Sequence, residues 1–217
     1  METKPTIYVL AGANGVGKTT VNAFFIPKDV PYVNADDFAY QLRQRLGNDV
    51  NVQELANAEA LEQMNIFIAK RQTFAIETNL ADTDTWQFLI GIQRLGYALH
   101  LNFFGVSDVD ICINRVKNRV LQGGHYVRPD IVVARYKIGL SLLKHYKNIP
   151  NRLVLTDNTT KSINCLEMSL GEIVFQKEAL PEWVKSILAD IENKEKPYNS
   201  LDDVREKYRK LRDDESD

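Results

Sequence analysis

The sequence predicts an α/β domain built on a parallel sheet of about five strands, with helices on both faces. Three observations predict it. Short apolar runs recur along the chain, helical segments alternate with them, and most runs are apolar throughout, as strands covered on both faces require. A length of 217 residues is enough to bury a core without disulfides or structural metals, so residues 1–193 are expected to form one domain.

The elements follow in order. TIYVLA (6–11) is a strand, and GANGVGKTT leads from it into a helical VNAFFI. YVNA (32–35) is a second strand before a helical DDFAYQLRQRL, in which one of Asp36 and Asp37 is expected as N-cap. Residues 52–72 carry apolar positions at helical spacing, and TFAIET (73–78) returns to a strand pattern. TDTWQFLIGIQRLG (83–96) reads as a helix with Thr83 or Asp84 as N-cap and Gly96 as its stop. YALHLNFFGV (97–106) is the fourth strand. Ser107 and Asp110 then suggest a capping box opening a helix through ICINRVKNRVLQ. GGHYVRP breaks that helix, DIVVARYKIGLSLLKHY forms another, and NRLVLTDN (151–158) is the fifth strand and its exit. The last 24 residues carry fifteen charges of mixed sign on both sides of the Pro197 break, which reads as a charged tail or a docking helix over 194–217.

Composition narrows the function classes. A net charge of −2 supplies no basic field for sequence-independent nucleic-acid binding. Cys112 and Cys165 stand apart without metal-ligand spacing, which suggests two reduced thiols. With no signal-peptide design and no membrane-length apolar run, the expected location is the cytoplasm, with no membrane partner.

Chemistry concentrates in three places. Gly12, Ala13, Asn14, Gly15, Val16, Gly17, Lys18, Thr19 and Thr20 follow a strand and open a helix, and they satisfy G-x-x-x-x-G-K-[ST] without a gap. Such a P-loop turns backbone N–H groups and a helix N-terminus toward phosphates. Lys18 would reach the β- and γ-phosphates of ATP and the Thr19 hydroxyl would ligate Mg2+. Lys18 is expected to be exposed on this loop and to add little to the core. GTPase and transport-ATPase motifs are lacking, which favours a kinase, and a kinase needs a carboxylate near the loop to receive the hydroxyl proton. Asp36, at the exit of the second strand, is the candidate base, and Glu77 ends the third strand on the same edge of the sheet. Finally, Arg115, Arg119, Arg128 and Arg135 flank the GGH hinge in a segment, about 107–140, that could close as a lid over the triphosphate. His125 in the hinge could touch phosphate or hold the turn.

GANGVGKTT, VNADD, ETNL, R-x-x-x-R-V-x-x-GGH-x-V and RY, in this order, resemble the zeta toxin family of small-molecule kinases, over roughly residues 5–160. The resemblance implies a P-loop kinase core that phosphorylates a hydroxyl of a nucleotide sugar, UDP-N-acetylglucosamine in the best-known members, and a separate antitoxin protein. It implies Asp36 as base, Lys18 on the phosphates, and Arg119 with Arg128 or Arg135 as clamp. Glu77 is expected to hydrogen-bond the substrate or to bind magnesium through water, and Asn79 and Arg135 are also expected substrate contacts. The exit TDNT is similar to the Asp-Asn-Ser of compact relatives, where Asn158 would lie near the adenine. The chain departs from the best-known type after the glutamate, with Thr78, Asn79, Leu80 and Ala81 in place of Gly-Thr-Leu-Arg. A kinase of another small hydroxyl compound, such as an antibiotic, or of a nucleic-acid 5′-hydroxyl, and a non-catalytic ATP-binding regulatory module, stay open as alternatives.

Overall fold

A computed structural model describes residues 4–47, 51–122, 124 and 126–189. The charged segment 194–217, His125 and Gly123 lie outside these residues. The sheet has seven strands in the order β2-β3-β1-β4-β5-β6-β7. Five were expected: β1 (Thr6–Ala11), β2 (Tyr32–Val33), β3 (Phe74–Thr78), β4 (Ala98–Gly105) and β5 (Arg152–Asp157), and these pair in parallel.

The remaining two, β6 (Ile163–Ser169) and β7 (Glu172–Gln176), form an antiparallel hairpin added to the β5 edge. Its two-residue turn puts Leu170 and Gly171 at φ 50° and 86°. Two successive positive φ values suit the right-handed twist of a hairpin, but leucine is a poor advertisement for such a turn, which usually reads Asn-Gly or Asp-Gly. The hairpin is therefore a correction to the sequence expectation.

The helices are α1 (Lys18–Phe25), α2 (Ala35–Leu46), α3 (Val52–Ala69), α4 (Thr83–Arg94), α5 (Val109–Leu121), α6 (Pro129–Tyr146) and a further short α7 (Glu182–Leu188). Strand side chains alternate between faces, and the two cores follow that alternation. Ile7, Val9 and Ala11 enter the larger core with Trp86 and Leu89 of α4 and Leu142 of α6. Leu10 and Phe104 enter the second with Cys112 and Val116 of α5 and Val132 of α6. Burial pushes the Cys112 thiol up to about 11, which keeps it an inert apolar group there. Among the described residues no helix is long and apolar enough to cross a membrane.

Each predicted helix forms, but the caps differ. Asn34 caps α2 by accepting from the Asp36 backbone N–H at 3.0 Å, so neither aspartate is the cap. Asp82 caps α4 through Thr85 N at 2.7 Å, in place of Thr83 or Asp84. Asp108 caps α5 through Asp110 N at 2.9 Å, while Ser107 N donates to Thr159 Oγ1. For α2 and α4 the cap sits earlier than the expected residue because the strand exit turns at once into the helix, while for α5 it sits one residue later than Ser107. Pro129 opens α6, where its missing N–H costs no helical bond.

Candidate functional site

The parallel strands end together, and the turns that leave them surround a cleft of about 850 Å3. One side is the P-loop. Gly15 has φ 81°, and a Cβ there would stand 2.3 Å from the Cys112 carbonyl oxygen. Backbone conformation and the close approach of α5 both demand glycine. Two side chains brace the loop from other elements: Asn158 Nδ2 donates to Val16 O at 2.6 Å and Arg135 Nη1 donates to Asn14 Oδ1 at 2.8 Å. Arg115 Nη2 reaches Thr159 O at 3.0 Å, which ties α5 to the exit of β5.

Lys18 is 6% exposed, correcting the expectation of an exposed lysine. Its Nζ donates to Gly12 O at 2.5 Å and Ala13 O at 3.3 Å, and it pairs with Glu77 at 3.8 Å. Burial pulls its pKa down, opposed by the carboxylates of Glu77 and Asp36. Glu77 is itself held on three sides: Thr19 Oγ1 donates to it at 2.9 Å and Tyr32 OH at 2.5 Å, beside the Lys18 ammonium.

The other side of the cleft comes from α2, α3 and the turn after β3. Asp36 lines it, with Asn34, Gln53, Asn57, Asn79 and Asp82. Asp37, one residue on, does not. Its pKa is raised, first by burial and then by Glu77 and Asp36, so the site already carries crowded negative charge. After Glu77 the chain turns sharply, with Leu80 fully buried at φ 51° and its N–H bonded to Thr78 Oγ1 at 3.0 Å. A left-handed leucine is costly, and such strain gathers at functional turns. It aims the run from Thr78 to Asp82 along the cleft wall.

Most of the residues singled out from the sequence meet in this cleft: Asn14, Gly15, Gly17, Lys18, Thr19, Thr20, Asp36, Glu77, Asn79, Arg115, Arg119 and Arg135 all line it. Gly12, Ala13 and Val16 lie behind the loop, with Ala13 and Val16 buried. Two expectations change. Arg128 does not line the cleft and forms an exposed pair with Asp130 at 2.7 Å, its side chain 65% exposed, while Arg135 lies at the cleft. Asn158, expected near adenine, is buried under the loop with its amide engaged by Val16 and by Ser162 Oγ at 2.8 Å. Gln53, Asn57, Asp82, Asn118 and Tyr32 were not singled out. Only Tyr32, just ahead of VNADD, carried a signal by position.

Thr19 and Glu77 present hard oxygen donors within hydrogen-bond distance of each other, a donor set that fits Mg2+ held mainly by phosphates and water. No group of three or more candidate metal-ligating side chains exists among the described residues.

The sheet and helices that carry this cleft are matched as a fold in solved structures. The AvrRxo1-ORF1:ORF2 complex superposes with a TM-score of 0.66 at 16% identity, covering 85% of this chain and 63% of that one. The chain thus spans less than two thirds of that relative's length. The same pair has also been crystallised with ATP. The chain has a P-loop kinase fold. The PezAT chromosomal toxin-antitoxin system of Streptococcus pneumoniae matches this P-loop kinase fold with a TM-score of 0.52 at 14% identity, covering 98% of this chain and 88% of that one. By sequence, an uncharacterized Haemophilus influenzae protein is 29% identical over 136 residues, which are 63% of this chain and 94% of that protein. No family profile matches.

Proposed function

We propose that the chain is an ATP-dependent kinase of the zeta toxin type, transferring the γ-phosphate to a hydroxyl of a small molecule. The observation that carries this reading is the convergence of Lys18, Thr19, Glu77 and Asp36 on one cleft from three separate strand exits. A simple nucleotide-binding module has no use for a carboxylate aimed across the cleft from its phosphate loop.

In this reading ATP lies on the P-loop and displaces Lys18 Nζ from the Gly12 and Ala13 carbonyls onto the phosphates. Thr19, with Glu77 close by, would hold Mg2+, which would supply positive charge against the phosphate oxygens. The acceptor hydroxyl sits between Asp36 and the γ-phosphorus. Its oxygen forms the new bond to phosphorus, the bond from that phosphorus to the β–γ bridging oxygen breaks, and the hydroxyl proton passes to the Asp36 carboxylate. Arg119 and Arg135, from the two helices of the 107–140 lid, stabilise the charge on the transferring group. ADP and a phosphate monoester leave.

The nucleotide-sugar acceptor of the best-known toxins carries over least well, because Ala81 stands where those toxins have an arginine. An antitoxin is a matching proposal, supported by the two-protein assemblies among the structural relatives. The test is phosphate transfer from ATP and Mg2+ to a panel of hydroxyl compounds, UDP-sugars included, read by mass spectrometry. Lys18→Ala should lower turnover about a hundred- to a thousandfold, the cost of removing a preorganised charge donor. Unchanged turnover in that variant would sink the assignment.

A further inference from the structure

A second pocket opens beside the phosphate cleft. It has a volume of about 390 Å3, roughly a dozen water volumes, which is the size of a ring or two. Its walls are Val33, Ala60, Leu61, Met64, Ile76 and Phe88, contributed by β2, α3, β3 and α4. Ala35, Asn57, Glu77 and Thr78 line both spaces, so the pocket joins the cleft next to the carboxylate that holds Thr19 and Lys18.

We propose that this pocket seats an apolar, ring-sized part of the acceptor, and that the acceptor is uncharged, not an anion such as a nucleotide sugar. The proposal rests on the kinase reading above. The walls supply the first argument, since apolar surface buried there gains about 25 cal/mol for each Å2 removed from water, while an ionised group would lose its hydration without a partner.

Charge supplies the second. Among the described residues lining the pocket, the only charged side chains are Glu77 and Asp84, both acidic. The cations of the described cleft lining are Lys18, Arg115, Arg119 and Arg135. Lys18, Arg115 and Arg135 bond the P-loop or its brace. A diphosphate seated next to Ile76 and Phe88 would meet carboxylates and no counter-charge. A neutral molecule meets apolar walls and, at the rim, the amide of Asn57 and the hydroxyl of Thr85, groups suited to hydroxyl or amide functions. Its hydroxyl can then extend toward Asp36 while its ring stays behind.

The experiment divides a bacterial small-molecule extract on a strong anion exchanger and offers each fraction, with pure UDP-N-acetylglucosamine alongside, to the full chain with γ-labelled ATP and Mg2+. Label is expected in the unretained fraction, in a compound whose dephosphorylated form is held by a reversed-phase column. Label in the anion-retained fraction or on UDP-N-acetylglucosamine would overturn this inference and leave the kinase reading standing. Label in no fraction would overturn both. With the labelled acceptor in hand, Leu61→Trp narrows the pocket from a half-exposed position that the core does not depend on, and Leu61→Lys puts a cation at its mouth. Each should raise the acceptor KM at least about tenfold with kcat within about threefold, the scale of apolar pocket discrimination. Unchanged KM in both variants, with thermal unfolding like that of the parent, would show that the acceptor sits elsewhere.

Discussion

The two walls of the cleft are built on different principles. The phosphate wall is a stretch of consecutive backbone clamped in place: Gly15 touches α5 at the Cys112 carbonyl, Asn158 holds Val16 from the exit of β5, and Arg135 holds Asn14 from α6. The opposite wall, which the proposed kinase reading makes the acceptor wall, is an assembly of side chains, with Asp36 from α2, Gln53 and Asn57 from α3, and Asn79 and Asp82 from the turn after β3. The first wall fixes one ligand class by geometry, because phosphates are bound by N–H groups that any sequence possesses. The second can change its ligand by changing a residue or two without disturbing the fold. On that reading the phosphate chemistry and the acceptor specificity lie on opposite sides of one gap.

If that division holds, a substitution on the acceptor wall should stop transfer and spare ATP binding. Asp36→Asn is the strongest case. The α2 cap is the Asn34 side chain, which receives the Asp36 backbone N–H, so the variant keeps its helix start. Transfer should fall by about two to four powers of ten with ATP affinity near that of the parent, while Asp37→Asn stays within a few-fold. Rapid-quench transfer assays beside nucleotide titrations decide it, and equal behaviour of the two variants would move the base away from Asp36. The converse case is Gly15→Ala on the phosphate wall. Its Cβ cannot coexist with the Cys112 carbonyl, so the loop must shift and ATP affinity should drop at least about tenfold, a loss readable by calorimetry. Wild-type affinity would mean that the loop is less tightly clamped than its contacts indicate.

Asn158→Ala sharpens the comparison further. It leaves the loop sequence intact and removes the bond to Val16 O, so the stability loss should be about 1–3 kcal/mol, the cost of orphaning a buried polar group, with a several-fold weaker ATP. Denaturant unfolding measures the first and titration the second. If Asn158 contacted adenine and did not brace the loop, affinity would fall with stability unchanged.

The smallest expected effect is electrostatic. The raised pKa of Asp37 means that its charged form is disfavoured in the folded chain, so the parent loses stability relative to Asp37→Asn as pH rises through the carboxylate range. The difference should be fully present at neutral pH and vanish below the ordinary aspartate pKa of 3.8. Melting temperatures of both proteins between pH 3 and 7 test the sign.

The same contrast explains what could be read from the sequence. The P-loop is legible because its constraint lies in neighbouring residues: glycines where the backbone must turn and lysine at a fixed offset. The parallel strands were legible as apolar runs ending in turns. The position of Asp36 and Glu77 at the cleft was legible because acids at strand exits are conspicuous. Asn57, Gln53 and Asp82 were not, since polar residues on a helix or at a cap look like any solvated surface until the fold brings them together. The placement of Arg128 was not legible because four arginines around a hinge look alike, and only geometry pairs one of them with Asp130 and turns Arg135 to the cleft. The β6-β7 hairpin escaped notice because its turn is Leu-Gly.

One brace carries a consequence for how the protein comes into being. The phosphate loop occupies residues 12–20, but the amide that holds its Val16 carbonyl belongs to residue 158, and the exit carrying that amide is secured in turn by Trp183, whose indole N–H donates to Asp157 Oδ1 at 2.9 Å. During synthesis the loop leaves the ribosome long before the strand and helix that hold it in shape. A nascent chain carries the whole nucleotide signature while lacking the brace that shapes it. This order of assembly works as a timer, keeping the loop without its brace until β5 and α7 have emerged.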